Sequence, residues 1–386
     1  MIGGGIVPNF GIGMIGCGVR GRGVVKSLLD QHKDIKVVAV SDPSDESISQ
    51  ARREIAPSAK VYADYKDLVQ DPAVGWVMVA SPNCLHRDHV IAALNAGKHV
   101  WCEKPLATTL QDCLDMKKAW KASGRLFSLG FTLRYSPHYL KINELLRENT
   151  IGDIISVEFN ETLDFNHGGY IMSDWRRDSQ LSGGHLLEKC SHDIDIANWL
   201  LRSRPRRVAG FGGLDFFKPE NLHFQAEIDK SPEGHTPYQS WPSTTGLNPF
   251  TAEKDIYDNQ VAILEFENGV RGTFHTNCNA GIPERRLYLL GTTGAIRADV
   301  LTGKIELRKI GFDAVSTDVS TDVSGGHGGG DTHLVRNLAD SILNSAAPHT
   351  GIDDGLVSSF TCFAIDEASR TGQVVEMDKY WKQADI

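Results

Sequence analysis

The sequence predicts an α/β domain on a parallel sheet followed by an α+β domain on an open, mainly antiparallel sheet. Three observations carry this. The chain has 386 residues, more than one hydrophobic core usually organises. From Phe10 to Phe131, short apolar runs alternate with stretches of helical spacing, the arrangement of βαβ units. After Phe131 the rhythm changes to isolated helices and then mostly strands. The expected division is 1–133 and 134–386, with the final helix able to pack back on the first domain.

Five strands are readable in the first part: Phe10 to Ile15, Ile35 to Ser41, Trp76 to Ala80, His99 to Cys102 and Leu126 to Gly130, with a weaker one near Val61. Gly11 and Gly13 disfavour the first by propensity, but the glycine-rich turn at Gly16 to Gly21 needs a strand before it. Val24, Val25, Leu28 and Leu29 recur at helical spacing, as do Val90, Ile91, Ala93 and Leu94 before Gly97, a C-cap. Thr108 and Gln111 read as a capping box for a helix ending near Ser123.

In the second part, Pro137 starts a helix, Ile154 to Leu163 reads as a strand, and Leu186 to Leu201 reads as a helix. Asn268-Gly269, Thr293-Gly294 and Thr302-Gly303 mark tight turns between strands. Lys218 to Lys254 is long and aperiodic, the mark of a functional loop or of a disordered one, and is expected to border a substrate pocket. Helices near Thr332 to Ser345 and Asp354 to Thr371 close the chain.

Composition narrows the function. With 41% hydrophobic and 23% charged residues the chain should fold compactly. A net charge of −9 makes a nonspecific grip on nucleic acid a poor expectation. The 7 cysteines are scattered without CxxC spacing, which fits reduced thiols and a cytoplasmic location better than a disulfide frame. Met1 to Phe10 has no signal-like pattern, and no run approaches membrane-spanning length. No group of residues has metal-ligand spacing, so no metal is expected.

Gly16-Cys17-Gly18-Val19-Arg20-Gly21 follows a strand and opens a helix, the context that gives GxGxxG its meaning. Gly16 permits the tight turn, Gly18 lets backbone approach a pyrophosphate, and Gly21 allows helix to pack on strand. Asp42, at the end of the second strand, is placed to accept hydrogen bonds from ribose hydroxyls, which favours NAD. A 2′-phosphate would face like charge unless Arg20 or Arg22 offset it, so NADP is the less favoured cofactor. Asp42-Pro43 also suits a simple turn. Ser81-Pro82-Asn83 lies at the carboxyl end of its strand, where Asn83 can reach a cofactor ribose or merely form a turn. Glu103-Lys104-Pro105 ends the next strand on the same edge, where a lysine faces either the crevice or solvent.

The run Ser81 to Leu106, SPNCLHRDHVIAALNAGKHVWCEKPL, resembles the Gfo/Idh/MocA family, whose members carry TPNxxH and then ALxAGKHVxxEKP. That family is named for glucose-fructose oxidoreductase and inositol dehydrogenase. The resemblance extends through Asp174-Trp175-Arg176 and Ser182 to Glu188, and on to His192 and Asp195. It implies that Lys104, Glu188, His192 and Asp195 flank substrate and nicotinamide, and that His86 and Glu103 join the cofactor-binding set. The commoner residue at position 188 is aspartate, so the longer arm of Glu188 puts the detailed substrate geometry in question. Members commonly assemble through an exposed sheet face, which implies a homodimer or homotetramer.

Residues 188, 192 and 195 follow i, i+4, i+7 and share one helical face, with Leu187, Ile194 and Leu201 opposite. A solvated polar face is the plain alternative. Flanking apolar residues argue for burial, where such a row is costly without a role. Oxidation of a secondary alcohol needs a proton acceptor beside the cofactor, and histidine suits it. Lys104 would stabilise developing alkoxide charge or relay the proton. Trp175, Arg176 and Tyr135 are further candidates for the pocket wall. Gly325 to Asp331 is a glycine-rich loop that either places His327 on substrate or lets backbone pass close, with Asp331 as a helix N-cap. The function expected is NAD-dependent oxidation of a secondary ring alcohol of a sugar, glycoside or cyclitol. Glycoside cleavage through transient oxidation and elimination, and a noncatalytic sensing role, are the alternatives.

Overall fold

In a computed structural model the chain is described over residues 11–323 and 325–386. Phe10, and the reading of Met1 to Phe10, lie outside the described residues. The described residues divide into two compact units: those from 11 to 107, 111–130 and 331–353 form the first, and 108–110, 131–323, 325–330 and 354–386 the second.

The first unit alternates strand and helix: β1 Gly11–Ile15, α1 Val19–Gln31, β2 Lys36–Ser41, α2 Asp45–Glu54, β3 Lys60–Val61, α3 Tyr65–Gln70, β4 Val74–Val79, α4 His86–Asn95, β5 His99–Cys102, α5 Leu110–Ser123 and β6 Phe127–Leu129. The strands form one sheet in the order β3-β2-β1-β4-β5-β6, with every pairing parallel. Strand order reverses between β1 and β4, so the carboxyl ends of these two strands mark the crevice where such sheets bind ligands. Ile12, Met14, Trp76, Met78, Val100 and Trp101 are buried, as expected for strands covered on both faces. Gly11 and Gly13 are tolerated in β1 because neighbours fill their space: a Cβ on Gly11 would sit 2.4 Å from Val38, and one on Gly13 would sit 2.7 Å from Leu68. The expected capping box at Thr108 does not form around Gln111. The helix starts at Leu110, and the Gln111 amide instead donates to Asp115 at 2.9 Å.

The second unit contains α6 Pro137–Arg147, β7 Ile154–Asp164, α7 Phe165–Ser173, α8 Ser179–Ser182, α9 His185–Leu201, β8 Pro205–Gly213, α10 His223–Ala226, β9 Asn259–Phe266, β10 Arg271–Ala280, β11 Arg286–Gly291, β12 Gly294–Asp299, β13 Lys304–Lys309 and β14 Thr317–Asp318. α11 Gly330–Asn344 belongs, past Gly330, to the first unit, and the second resumes within α12 Ile352–Thr371, followed by β15 Val375–Glu376 and α13 Asp378–Ala384. One nine-stranded sheet runs β14-β13-β12-β11-β7-β10-β9-β8-β15, antiparallel at every described pairing except β10 with β7. Alternating burial along β9 and β10 shows one face covered and the other open, the pattern of an antiparallel sheet with a single core face. The helix α9 packs on β7 and α6.

Asp331 does not cap α11 from outside. The helix begins at Gly330, and the Asp331 carboxylate accepts from Arg20 at 2.7 Å. The segment 218–254 is irregular but built. Phe217, Tyr238 and Phe250 form a buried cluster with Ile171, Met172 and Cys278.

Candidate active site

The three fingerprint glycines do three different jobs. Gly16 has φ +89°, and a Cβ there would approach the Ala80 carbonyl carbon to 2.6 Å, so the turn admits only glycine. A Cβ on Gly21 would lie 2.8 Å from the Ala80 Cβ, which is the close approach of α1 to the sheet. Gly18 caps α1 at φ −65°, and a Cβ there would meet nothing within 4 Å. Nothing inside the protein therefore requires glycine at 18. An open position at the amide end of a 13-residue helix is the cradle a pyrophosphate needs, so these residues fit a dinucleotide.

Asp42 stands at the end of β2 and orders this turn, one carboxylate oxygen accepting from the Cys17 amide at 2.7 Å and the other from Ser44 at 2.8 Å. Each oxygen retains a further lone pair for a ribose hydroxyl. The two arginines are not free to receive a 2′-phosphate as the sequence allowed. Arg22 donates to the Cys17 carbonyl at 2.6 Å and to Glu54 at 3.1 Å, while Arg20 pairs with Glu103 at 2.6 Å and with Asp331 at 2.7 Å.

Two residues expected to touch cofactor do not reach a surface. Cys17 and His86 have no exposed area, so they hold the frame instead. The His86 ring nitrogens lie 2.8 Å from the Pro105 carbonyl and 3.0 Å from the Ser81 carbonyl. It thus ties the loop after β4 to the loop after β5, and burial pushes its pKa down. Glu103 also works behind the surface, accepting from Arg20 and from the Lys104 amide at 2.9 Å. Lys104 itself is half-buried at the end of β5, Asn83 is buried, and the Ser81 hydroxyl meets His89 at 2.9 Å. Val19, the first residue of α1, is exposed beside Gly18, and Pro82 precedes the short turn that carries Asn83.

In the second unit, α9 starts after Gly183 and Gly184, both at positive φ, and ends at Arg202 in the left-handed region. Glu188, His192 and Asp195 are 8%, 4% and 1% exposed, so the solvated-face alternative is excluded. Each carboxylate has a cation. Glu188 accepts from Arg176 at 3.0 Å, and the Arg176 guanidinium reaches Asp174 and the Tyr170 hydroxyl while stacking over Trp175. Asp195 is held by both arms of Arg134, at 2.7 Å and 2.6 Å, and Arg134 also meets Asp354 at 2.9 Å. Burial pushes the Asp195 carboxyl up to about 7, against the pull of Arg134. His192 lies between Phe131 and His327, with ring centroids 5.9 Å and 5.5 Å away. His327 takes φ +51° in a loop whose Gly328 carbonyl accepts from Ser136. Tyr135 is buried at 5% exposed.

A cavity of about 350 Å³ opens in this unit, with Glu161, His167, Lys189, Arg285 and His327 on its wall. These residues, apart from His327, escaped sequence reading because they come from β7, α7, α9 and the segment leading into β11. The only available signal was Asp193, a third acid beside Glu188 and Asp195 on a helix otherwise read as buried, which needs a cation. That cation is Arg285, bonded to Asp193 at 2.8 Å and 2.7 Å and to Glu161 at 3.1 Å, with Lys189 at 3.2 Å from Glu161. Glu161, Cys190 and Asp193 place one ligand atom each within 4.8 Å of one another, a grouping spacing did not reveal. Arg285 already supplies the positive charge there.

Comparison with known proteins agrees with this fold. Residues 10–131 match the Gfo/Idh/MocA description "Oxidoreductase family, NAD-binding Rossmann fold", and residues 143–377 match its C-terminal alpha/beta domain. Inositol 2-dehydrogenase 2 of Saccharopolyspora erythraea is 33% identical over 287 residues, 74% of this chain and 72% of that protein. The 2,7-anhydro-N-acetylneuraminate hydratase of Escherichia coli is 29% identical over 289 residues, 75% of this chain and 67% of that protein. Among solved structures, levoglucosan dehydrogenase in complex with NADH and levoglucosan superposes with a TM-score of 0.80 at 20% identity, covering 96% of this chain and 99% of that one. With an NAD-binding Rossmann unit and the family's C-terminal domain matched nearly end to end, the chain belongs to the Gfo/Idh/MocA oxidoreductase family.

Proposed function

We propose that this protein is an NAD-dependent dehydrogenase that oxidises a secondary ring alcohol of a sugar, glycoside or cyclitol, with Lys104 and His192 handling the hydroxyl proton. The observation that carries it is the buried row Glu188, His192 and Asp195, whose two carboxylates are tethered to Arg176 and Arg134. Burying an imidazole between two anchored acids is costly, and a proton-transfer role accounts for it.

Bound nicotinamide would supply the hydride acceptor. The chain's residues divide the remaining work. Gly18 and the first amides of α1 would hold the pyrophosphate, and Asp42 the ribose. His192 accepts the alcohol proton as a general base. Lys104 stabilises the developing alkoxide as an ammonium group. Glu188 and Asp195 orient the row through their arginines. The relative named as an inositol dehydrogenase and the sugar-complexed solved structure support the substrate class.

The test is NADH formation at 340 nm across inositols, aldoses and glycosides. Lys104→Met and His192→Ala should each lower turnover by about two to four orders of magnitude. NADH affinity should stay within about threefold of wild type, since neither change touches the pyrophosphate cradle. Tight NADH binding without turnover on any substrate, or full turnover in either variant, overturns this reading. One relative carries the name of a hydratase acting on an anhydro sugar, which favours a second reading, transient oxidation followed by elimination. Release of sugar from a glycoside with no net NADH would identify it. Phe211, Val261 and Ile263 are exposed on neighbouring positions of β8 and β9 and support assembly of a homodimer or homotetramer, measurable by light scattering.

A further inference from the structure

Trp241 belongs to the irregular segment 218–254, yet its position is fixed from several sides. Its indole stacks on His167 with centroids 4.2 Å apart and planes 16° from parallel, and it leans on Tyr170 at 5.5 Å. Residues just beyond it pin the backbone: the Thr244 amide and hydroxyl donate to Asp174 at 3.2 Å and 3.0 Å, and the Thr245 hydroxyl donates to the Ser173 carbonyl. Gly169 lets the segment pass against α7, since a Cβ there would lie 2.0 Å from the Tyr238 carbonyl oxygen. Even so, Trp241 is 42% exposed. A tryptophan held this firmly and left this open is not serving the core.

Its surroundings say what it faces. His167, the ring beneath it, is on the wall of the 350 Å³ cavity. Tyr170, its other neighbour, bonds Arg176 at 2.7 Å, and Arg176 holds Glu188 of the buried row. The cavity wall mixes charged side chains with apolar ones such as Leu163 and Val300, and its Lys189 and Arg285 each already face a carboxylate, so neither favours an anionic ligand. A cavity of mixed polarity beside a flat apolar ring matches a pyranose, whose hydroxyls line its rim and whose C–H groups form a face. The indole lies beyond the cavity, so it serves a second ring rather than the first.

We propose that Trp241 is a specificity-determining residue that stacks the second ring of a neutral glycoside, making two-ring glycosides, rather than free monosaccharides, the preferred substrates. This rests on the dehydrogenase reading above and narrows its substrate class.

The experiment pairs D-glucose, D-galactose and D-mannose with their p-nitrophenyl β-glycosides. It measures kcat/KM with NAD and, separately, calorimetric binding to the NADH-loaded protein. Wild type should bind and turn over at least one glycoside about tenfold better than its parent sugar. Trp241→Ala should lose that advantage through KM with kcat little changed, and Trp241→Phe should restore most of it. Equal losses for sugar and glycoside in Trp241→Ala, or wild-type preference for the free sugars, overturns the proposal. Glycoside binding that depends on Trp241, without any NADH formation, instead sinks the dehydrogenase reading while sustaining the stacking site.

Discussion

Replacing Arg134 with methionine should be among the most damaging single changes in the second unit, although Arg134 lies outside every motif. Arg134 is 11% exposed and Asp195 only 2% by side chain, and the pair shares two hydrogen bonds while Arg134 also holds Asp354. Removing one partner strands a carboxylate in the interior, which costs about 3–5 kcal/mol. For a unit of this size that is a melting shift of roughly 10 °C. The loss should depend on pH in a definite direction. Burial already raises Asp195 to about 7, and without Arg134 the carboxyl rises further. A raised carboxyl contributes stability at low pH that is lost as pH climbs through the folded value, so Arg134→Met should be closer to wild type at pH 5 than at pH 8. Asp195→Asn on the Arg134→Met background should recover much of the loss. Turnover should fall about tenfold or more because Asp195 is one helical turn from His192, while NADH affinity holds. Denaturant unfolding of the single and double variants at the two pH values is the assay. A loss below about 1 kcal/mol, or no recovery in the double variant, refutes the buried-pair argument.

Gly18→Ala should leave thermal stability within about 0.5 kcal/mol of wild type, because φ is ordinary and no atom lies within 4 Å of the new Cβ, yet weaken NADH binding about tenfold or more. Retained affinity in a calorimetric titration would remove Gly18 from the cradle. His138 on α6 is 1% exposed, and burial lowers its pKa to about 4 from an ordinary 6.5. As pH falls the unfolded chain takes up the proton first, so the stability this neutral imidazole confers is complete above 6.5 and drains away between 6.5 and 4. At pH 5 the loss is about 2 kcal/mol. His138→Leu should therefore flatten the acid limb of a stability profile by roughly one proton, and an unchanged slope would contradict it.

Local chemistry was legible where periodicity and glycine spoke together. GxGxxG between an apolar run and a helical pattern located β1, its turn and α1, and the i, i+4, i+7 spacing put Glu188, His192 and Asp195 on one face. Three tight turns at Asn268, Thr293 and Thr302 fell between the strands they were expected to join. The failures are equally specific. His86 and Cys17 belong to motifs that frame a ligand, and a motif does not say which members turn inward. Asp331 looked like a cap because short-range rules see only its own helix, while its actual partner, Arg20, is 311 residues away.

Sequence by itself determined the units that need only neighbours a few residues apart: strand and helix periods, turns that only glycine can make, and the chemistry a strand end can present. Tertiary structure alone decided the pairings of charge. Arg134 with Asp195, Arg285 with Asp193 and Arg20 with Glu103 join groups 61, 92 and 83 residues apart. The reason is physical: a buried charge must find a counter-charge in space, and sequence separation places almost no limit on where that partner comes from.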